Sequence, residues 1–169
     1  MKAASVPDEG LTGALRAYRI VRKGYAPFDG TGAYRRGGRW NTPRRYVIYG
    51  AQTYSLAVLE NLVHFNLGEL PPNLVYVEFT IPAEVSRERV EPEQLKGWNR
   101  AHPNGVSERF GDRWHDEHRS AVLLVPSMLS PKECNVVIHP GHPQASRIGI
   151  SAAKTVRLDT RVARLMTRS

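Results

Sequence analysis

The sequence predicts a single domain of the α+β class. Segments with the alternation of strands and segments with the periodicity of helices follow one another without the regular βαβ rhythm of a doubly wound sheet. The length of 169 residues suits one domain with a substantial core. Hydrophobic residues make up 41% and charged residues 24% of the chain, which is typical of globular proteins. We therefore expect a flexible N-terminal tail over residues 1–10 and one compact domain over residues 11–169.

Six segments are predicted to be strands from their apolar alternation or from their β-branched and aromatic content. They span residues 15–21, 46–49, 74–81, 121–125, 135–138 and 155–158. The third is the most regular, and Pro82 ends it. Its predicted buried face carries four apolar side chains: Val75, Val77, Phe79 and Ile81.

The clearest helix is predicted over residues 53–67. Thr53 can cap its first turn, and Gly68 stands where a glycine commonly ends a helix. The predicted core stripe consists of four apolar residues: Leu56, Leu59, Val63 and Leu67. Glu60 lies at the edge of that stripe, where a carboxylate requires either a buried partner or a function.

The remaining chain is predicted to be less regular. A second helix is expected over residues 107–119, and a short helix closes the chain. Residues 83–106 are expected to be irregular apart from a short helix at 91–98. The glycine-rich stretch 24–38 is predicted to be a loop, because glycine is unfavourable inside both helices and strands.

Composition also limits the location of the chain. A lone cysteine, Cys134, allows no internal disulfide, as is usual for intracellular proteins. No apolar run approaches the roughly 20 residues that cross a bilayer, and the N-terminal residues lack the apolar core of a secretory signal. We therefore expect a cytoplasmic protein that does not associate with membranes.

The charge balance limits the partners. Twenty-four Lys and Arg against sixteen Asp and Glu give a net charge of +8. Such a surplus favours nucleic acid, a phosphate-bearing small molecule or an acidic protein. Because the basic residues are scattered and form no recognised binding motif, direct nucleic-acid binding is not expected.

The segment Gly37-Gly38-Arg39-Trp40-Asn41 has the composition of a ligand-binding turn. Two glycines let the backbone approach a ligand closely, and the Arg that follows can place two N–H groups on a phosphate or carboxylate. A plain turn with a surface Arg packed on Trp40 explains the same residues, so their spacing leaves both interpretations open.

Two further side chains are candidates for chemistry. Glu60 either pairs with a buried Arg, for which Arg19 and Arg39 are the candidates, or works in a site. Ser127 follows an apolar strand but lacks the Gly-x-Ser-x-Gly surroundings of a nucleophile. Its hydroxyl is therefore expected to cap a turn or to contact a ligand.

The histidines include two pairs with the spacing of metal ligands, His115-x-x-His118 and His139-x-x-His142. No third ligand clusters with either pair in the sequence, so no metal site is expected. The first pair is assigned to the surface of a helix.

Six motifs follow one another in an order that resembles the RES domain, a family of bacterial toxins named for its Arg, Glu and Ser. They are Arg19 on the first strand, GGRWN at 37–41, VIY at 47–49, SLAVLENLVH at 55–64, LLVPS at 123–127 and NVVIHPGHP at 135–143. The resemblance runs from about residue 14 to residue 165. The most specific part is GGRWN followed by the LE pair of the helix.

The resemblance implies a fold like that of ADP-ribosyltransferase toxins and cleavage of the nicotinamide–ribose bond of NAD, which is then substrate and not cofactor. It implies three catalytic residues: Glu60, Arg39 and Ser127. It implies four substrate-binding residues: Arg19, Trp40, Tyr49 and Asn135. One position departs from the family, because some members have a Tyr three residues before the motif Arg, where this chain has Arg36.

The residue types fit this chemistry. Cleavage gives the ribose oxocarbenium character while nicotinamide leaves as a neutral group, so one carboxylate is the main requirement and no metal is needed. The resemblance also implies a helix-turn-helix antitoxin as partner, and a homodimer is left open. Two alternatives remain at this point: transfer of ADP-ribose to a protein, and a catalytically silent basic module that binds nucleic acid or the antitoxin.

Overall fold

The computed structural model describes residues 13–64, 73–100 and 105–162. The strands, numbered along the chain, are β1 (Leu15–Arg22), β2 (Ile48–Ala51), β3 (Leu74–Ile81), β4 (Arg87–Arg89), β5 (Val122–Pro126), β6 (Cys134–Ile138), β7 (Gly149–Ile150) and β8 (Lys154–Thr155). The helices are α1 (Thr31–Arg36), α2 (Tyr54–His64) and α3 (Val106–Asp116), with 3-10 turns at Pro92–Gln94 and Pro143–Arg147. The predicted tail, the last turn of the predicted helix 53–67 and Gly68 lie outside the described residues.

The strands form one sheet in the order β4-β5-β6-β2-β1-β3-β7, with β8 also paired to β3. Among the described strands every pair is antiparallel except β4 with β5. The longest ladder joins β1 to β3, from Leu15 opposite Ile81 to Arg22 opposite Leu74. One mixed sheet, with helices that come between its strands in the sequence, confirms the predicted α+β class.

Apolar side chains cover both faces of the sheet. Along β5 and β6 successive residues join different core clusters, because successive side chains of a strand point to opposite faces. Leu124 packs with Phe79 on one face, while Leu123 packs with Trp114 of α3 on the other. The four residues predicted to form the buried face of β3 are all buried, which confirms that prediction.

The structure corrects the predicted loop over residues 24–38, since this stretch contains the short helix α1. The carboxylate of Asp29 accepts hydrogen bonds from the backbone N–H of Thr31 at 2.9 Å and from its hydroxyl at 2.6 Å. These bonds satisfy the first N–H of the helix. A helix can therefore start here, although the glycine content of the stretch indicates a loop. Gly37, with φ of 73°, ends the helix.

The structure also corrects the core stripe predicted for α2. Thr53 Oγ1 accepts a hydrogen bond from the Leu56 N–H at 3.1 Å, as a helix cap does. However, Leu59 and Val63 are exposed, and the buried apolar residues are Leu56 and Ala57. The buried face is centred between these two, which places Glu60 on it and Leu59 at its margin.

The smaller deviations concern short elements. Strand β2 begins two residues later than the predicted segment 46–49, and β8 occupies only the first part of the predicted 155–158 region. The predicted helix at 91–98 is a 3-10 turn. Strands β4 and β7 were not predicted, because two or three residues at a sheet margin carry no readable alternation. No helix within the described part of the chain is both long and apolar enough to cross a membrane.

Candidate active site

The register of the central strands brings polar residues from distant parts of the chain to one end of the sheet. Asn135 of β6 lies opposite Val125 of β5 on one side and opposite Ala51 of β2 on the other. Ser127 directly follows β5, and α2 begins shortly after β2. The end of β5, the beginning of β6 and helix α2 therefore meet at one place.

A cavity of about 520 Å³ opens there. Six of the seven predicted site residues line it: Arg19, Arg39, Trp40, Tyr49, Glu60 and Asn135. The seventh, Ser127, is 0% exposed and lies behind the cavity wall, where it contacts Glu60. The structure thus brings together residues that are spread over more than half of the chain.

The Glu60 carboxylate is the centre of a polar network. Its Oε1 accepts hydrogen bonds from Asn135 Nδ2 at 2.7 Å and from Ser127 Oγ at 3.0 Å. Within the described residues it forms no ion pair, so the expectation that Arg19 or Arg39 pairs with it is wrong. Its Oε2 has no hydrogen-bond partner in that same part of the chain. Two neutral donors therefore fix the carboxylate without cancelling its charge.

The Ser127 hydroxyl is itself held in place. Its oxygen accepts hydrogen bonds from the backbone N–H groups of Leu129 at 3.1 Å and Ser130 at 3.2 Å. Because both donors occupy the oxygen, the hydroxyl proton is directed at Glu60. Ser127 thus caps the turn, as expected from its sequence position, and aims one hydrogen bond at the carboxylate.

A second carboxylate, Glu133, ties this turn to the start of α2. It accepts hydrogen bonds from Ser130 Oγ at 2.6 Å and from Thr53 Oγ1 at 2.5 Å. These bonds, first that of Ser130 and then that of Thr53, lower the pKa of Glu133. Sequence reasoning missed Glu133, although the spacing Ser130-x-x-Glu133 is that of a capping box and could have indicated it.

Asn135 has one amide atom in use and one without a partner. Its Nδ2 donates to Glu60, whereas its Oδ1 is buried and has no hydrogen-bond partner among the described residues. A buried acceptor without a donor is costly, and such atoms commonly mark a place where a ligand or water binds. Because Asn135 lines the cavity, this oxygen is suited to receive a hydroxyl or amide of a ligand.

Three arginines line the same cavity, and backbone carbonyls hold the guanidinium groups of two of them, Arg19 and Arg39. Arg19 donates to the carbonyl oxygens of Asp29 at 3.0 Å and of Tyr49 at 3.4 Å. Burial lowers the pKa of Arg19, partly offset by the charge of Asp29. Arg39 donates through Nη1 to the carbonyls of Trp98 at 3.0 Å and Arg100 at 3.4 Å. Carbonyls orient a guanidinium but leave its positive charge available to an anion.

The GGRWN turn is built around the Tyr49 hydroxyl. This hydroxyl donates to Asn41 Oδ1 at 2.7 Å and accepts from the Trp40 N–H at 3.1 Å. A Cβ on Gly38 would lie 2.7 Å from the same oxygen, so only glycine fits there. Burial raises the pKa of Tyr49 far above its ordinary value, which keeps the hydroxyl neutral. The motif is thus a rigid frame for Arg39.

Trp40 contributes mainly to that frame. Its side chain is 3% exposed and packs edge-to-face with Phe110, at 6.3 Å between ring centroids.

Further cavity residues were not predicted as site residues, among them Arg36, Asn61, His64 and Met128. His64 lies one helical turn beyond Glu60 in α2, and that spacing could have indicated it, whereas no local pattern indicates Asn61.

The two histidine pairs, treated as separate in the sequence, form one cluster at the opposite end of β5 and β6. His139 stacks on His115 with ring centroids 4.2 Å apart and lies 4.8 Å from His118 and 6.3 Å from His142. Only the His115 and His139 rings are stacked face to face, and no three side chains of the described residues are arranged to hold a metal ion. Burial, and then the three neighbouring histidines, lower the pKa of His139 to about 4.

The family model and the curated relatives identify one family, and a solved structure shows a similar fold. The model of the RES domain matches residues 16–160. Over 129 residues the chain is 43% identical to the "Prs ADP-ribosylating toxin" of Sphingobium sp. (strain YBL2), covering 75% of this chain and 79% of that protein. Over 126 residues it is 36% identical to "Toxin Res" of Photorhabdus laumondii, covering 73% and 80%. The fold is similar to a chain of the M. tuberculosis MbcT-MbcA toxin-antitoxin complex, with a TM-score of 0.63, 16% identity and coverage of 94% and 93%.

Proposed function

This chain belongs to the RES domain family, and we propose that it is the toxin of a toxin–antitoxin pair that consumes NAD by breaking its nicotinamide–ribose bond. One observation carries the proposal. The Glu60 carboxylate stands at the wall of an open cavity, fixed by two neutral donors, and Arg19 and Arg39 line the same cavity. The relatives that are named toxins supply the biological setting.

The proposed reaction needs a negative charge more than it needs an acid. The C1′–N bond breaks with its electron pair leaving on the nicotinamide nitrogen, which becomes neutral and requires no proton. Positive charge then develops on C1′ and the ring oxygen of the ribose. A carboxylate fixed beside that ribose stabilises the transition state more than the ground state. An acceptor attacks C1′ and gives up a proton, which completes the reaction.

Glu60 supplies that charge in this proposal. Asn135 and Ser127 both bind Oε1, so Oε2 is the oxygen that faces the ribose. The buried Oδ1 of Asn135 accepts a hydrogen bond from a ribose hydroxyl or from the carboxamide. Ser127 acts as a positioning residue in this arrangement, because it is fully buried and touches the carboxylate instead of the substrate.

The guanidinium groups bind the pyrophosphate. Both hydrogen bonds of Arg39 to carbonyls use Nη1, so Nη2 and Nε remain to form the two-pronged contact that phosphate favours. Arg19, fixed by two carbonyls, adds a second positive charge. Tyr49, whose ring lines the cavity, provides an apolar wall for a nicotinamide or adenine ring.

The decisive experiment is incubation of purified protein with NAD, followed by product analysis for nicotinamide and ADP-ribose. Parallel reactions with and without phosphate separate water from phosphate as acceptor. We expect nicotinamide release by the wild type and almost none by Glu60→Gln. A folded wild-type protein that leaves NAD intact would contradict the proposal.

A second candidate keeps the cavity and changes the acceptor to a protein side chain. The observation in its favour is the relative at 43% identity, which is named for ADP-ribosylating Prs. NAD labelled on its adenosine, incubated with the enzyme and a bacterial protein extract, distinguishes the two candidates. Label that becomes covalently attached to protein supports transfer, whereas label recovered only as ADP-ribose supports hydrolysis.

We also propose a helix-turn-helix antitoxin that covers the cavity entrance near Arg39 and Glu60. Cells require NAD throughout metabolism, so an enzyme that destroys it must be restrained. A chain with a net charge of +8 attracts an acidic or carboxylate-ended segment. Expression of the chain alone in a bacterium should arrest growth and lower cellular NAD, and Glu60→Gln should not. Equal growth and equal NAD in both strains, with good soluble expression, would contradict the toxin assignment.

A further inference from the structure

An exposed basic and aromatic surface lies beside the mouth of the cavity. We call it the α1 surface and define it by five residues: Tyr34, Arg35, Arg36, Arg44 and Tyr46. The two tyrosines are 42% and 40% exposed, and their ring centroids are 5.3 Å apart. Arg36 also lines the cavity, so the surface and the site share a border.

Hydrogen bonds hold the surface in one shape. The Tyr46 hydroxyl bonds with Thr31 Oγ1 at 2.6 Å and donates to Asp29 Oδ1 at 3.1 Å. The backbone N–H of Arg44 donates to the carbonyl of Tyr34 at 2.7 Å. Arg44 has φ of 76°, a conformation that a long side chain rarely adopts. A surface fixed in this way loses little entropy when a partner binds.

The charges of the α1 surface are not neutralised by the protein. Arg35, Arg36 and Arg44 form no ion pair within the described residues. The next residue along the chain behaves differently, since Arg45 pairs with Asp112 at 3.3 Å and with Asp116 at 2.6 Å. Of the five arginines in segment 34–46, Arg45 is paired within the fold and Arg39 lines the cavity, whereas the other three are exposed to solvent.

We propose that the α1 surface docks an acidic surface of the protein that accepts ADP-ribose. This inference rests on the proposed function, with a protein side chain as acceptor. Tyr and Arg are the residue types most enriched where protein interfaces gain their binding energy. A partner bound here meets the cavity at Arg36, so one of its side chains can reach the C1′ position near Glu60.

A protein fits this surface better than a nucleic acid does. Bases stack on open aromatic faces, whereas Tyr34 and Tyr46 pack against each other with 41° between their planes. Three separated guanidinium groups suit carboxylates that are spaced over a folded protein surface.

The test uses the full chain, adenosine-labelled NAD and a bacterial protein extract, and it measures protein-bound label and nicotinamide release separately. The main variant is Arg35→Asp with Arg44→Asp. Asp tolerates the left-handed backbone at position 44, so this pair should fold. The control is Arg113→Asp with Arg147→Asp, which changes the net charge equally at exposed positions away from the cavity. A second variant, Tyr34→Ala, removes aromatic contact without changing charge.

We expect protein labelling to fall by about tenfold in the main variant and severalfold in Tyr34→Ala. Nicotinamide release without protein should stay within about twofold of the wild type, and the control should label normally. Equal labelling by all variants would overturn the proposal that the α1 surface docks the acceptor protein. NAD cleavage by the wild type with no labelled protein would overturn it as well. Label on nucleic acid would overturn the choice of partner. Absence of NAD cleavage would instead overturn the proposed function.

Discussion

The two ends of the β5–β6 ladder are chemically opposite. At one end, Ser127 and Asn135 donate hydrogen bonds to a single carboxylate, Glu60. At the other end, His139 is 3% exposed, and its ring neighbours include three other imidazoles. The first end is built to hold a charge in a fixed place, and the second is built to exclude one.

This contrast separates activity from stability. Neutral donors around Glu60 stabilise a negative charge that the fold does not otherwise need, so its removal should affect turnover and leave the melting temperature almost unchanged. The buried His139 imidazole stabilises the fold only while it is neutral, so its protonation should lower stability without a direct effect on chemistry. Changes at either end, or at residues tied to it, should therefore separate effects on activity from effects on stability.

Glu60→Gln should have the greatest effect. The amide keeps the shape and can still accept hydrogen bonds from Ser127 and Asn135, but the charge that meets the ribose is lost. We expect NAD turnover to fall by about 10²- to 10³-fold, with a melting temperature within a few degrees of the wild type. Leu59→Gln, at the exposed neighbouring position of α2, is the matched control and should turn over NAD normally. Full turnover by folded Glu60→Gln would remove Glu60 from the mechanism.

Acid should destabilise the fold through His139. Its pKa falls from the ordinary 6.5 to about 4 in the folded protein. Between these pH values the His139 imidazole is protonated in the unfolded chain and neutral in the folded protein. The free energy of unfolding therefore decreases as the pH drops. The total loss, complete below about pH 4, is of the order of 3 kcal/mol.

Denaturant unfolding at several pH values measures this slope. His139→Asn should flatten it, because the amide cannot titrate while its oxygen can replace Nδ1 as acceptor for the Gly141 N–H. An unchanged slope in His139→Asn would show that other groups cause the acid sensitivity.

A separate loss of stability is expected at lower pH, where Asp116 titrates. Hydrogen bonds, first that of Arg45 and also that of His115, lower the pKa of Asp116 to about 2. The stabilisation that Asp116 provides therefore disappears as the pH falls from 3.8 towards 2, and the same denaturant series measures it.

Arg39→Lys should weaken NAD binding with little change in kcat. A lysine is a point charge and cannot replace a guanidinium that is held by two carbonyls and presents a planar fork. We expect the affinity to drop by roughly 30-fold, which corresponds to about 2 kcal/mol. Calorimetric titration with the inactive Glu60→Gln variant as background measures binding without turnover. Unchanged affinity would make Arg39 a structural residue of the turn.

Glu133→Ala should have a smaller effect and should act on kcat. Glu133 does not line the cavity but links Thr53, which caps α2, to Ser130, and the Ser130 N–H donates to Ser127 Oγ. Loss of this link lets Glu60 move relative to its donors, and we expect kcat to fall by about tenfold with KM within about twofold. Glu133→Gln, which keeps an acceptor oxygen, should recover most of the activity. A change in KM alone would contradict a positioning role.

Local sequence patterns predicted several elements of the fold. The alternation of Val75, Val77 and Phe79 predicts a strand with one buried face, and the structure has it. Thr53 predicts the start of α2 for a local reason, since its hydroxyl caps the N–H of Leu56. The helix α1 escaped prediction because its start depends on a side-chain bond from Asp29, which glycine content hides.

The candidate site was predicted as a set of residues but not as an arrangement. The types and order of Arg39, Glu60 and Ser127 sufficed for the family resemblance, and the family match confirms it. Spacing suggested an Arg partner for Glu60, and the structure provides Ser127 and Asn135 instead. Hydrogen-bond partners that are far apart in sequence depend on strand register, which local patterns do not encode.

The same reason accounts for the histidines. Each pair is local, with three-residue spacing that can be read directly from the sequence, and each can be assigned to a helix or a loop. Their meeting depends on the antiparallel pairing of β5 with β6, which ends beside Ile138, and on the packing of α3 against that end. Residue chemistry is a property of the chain. The hydrogen bonds of Ser127 and Asn135 to Glu60 and the clustering of four imidazoles exist only after the sheet has closed its long-range pairs.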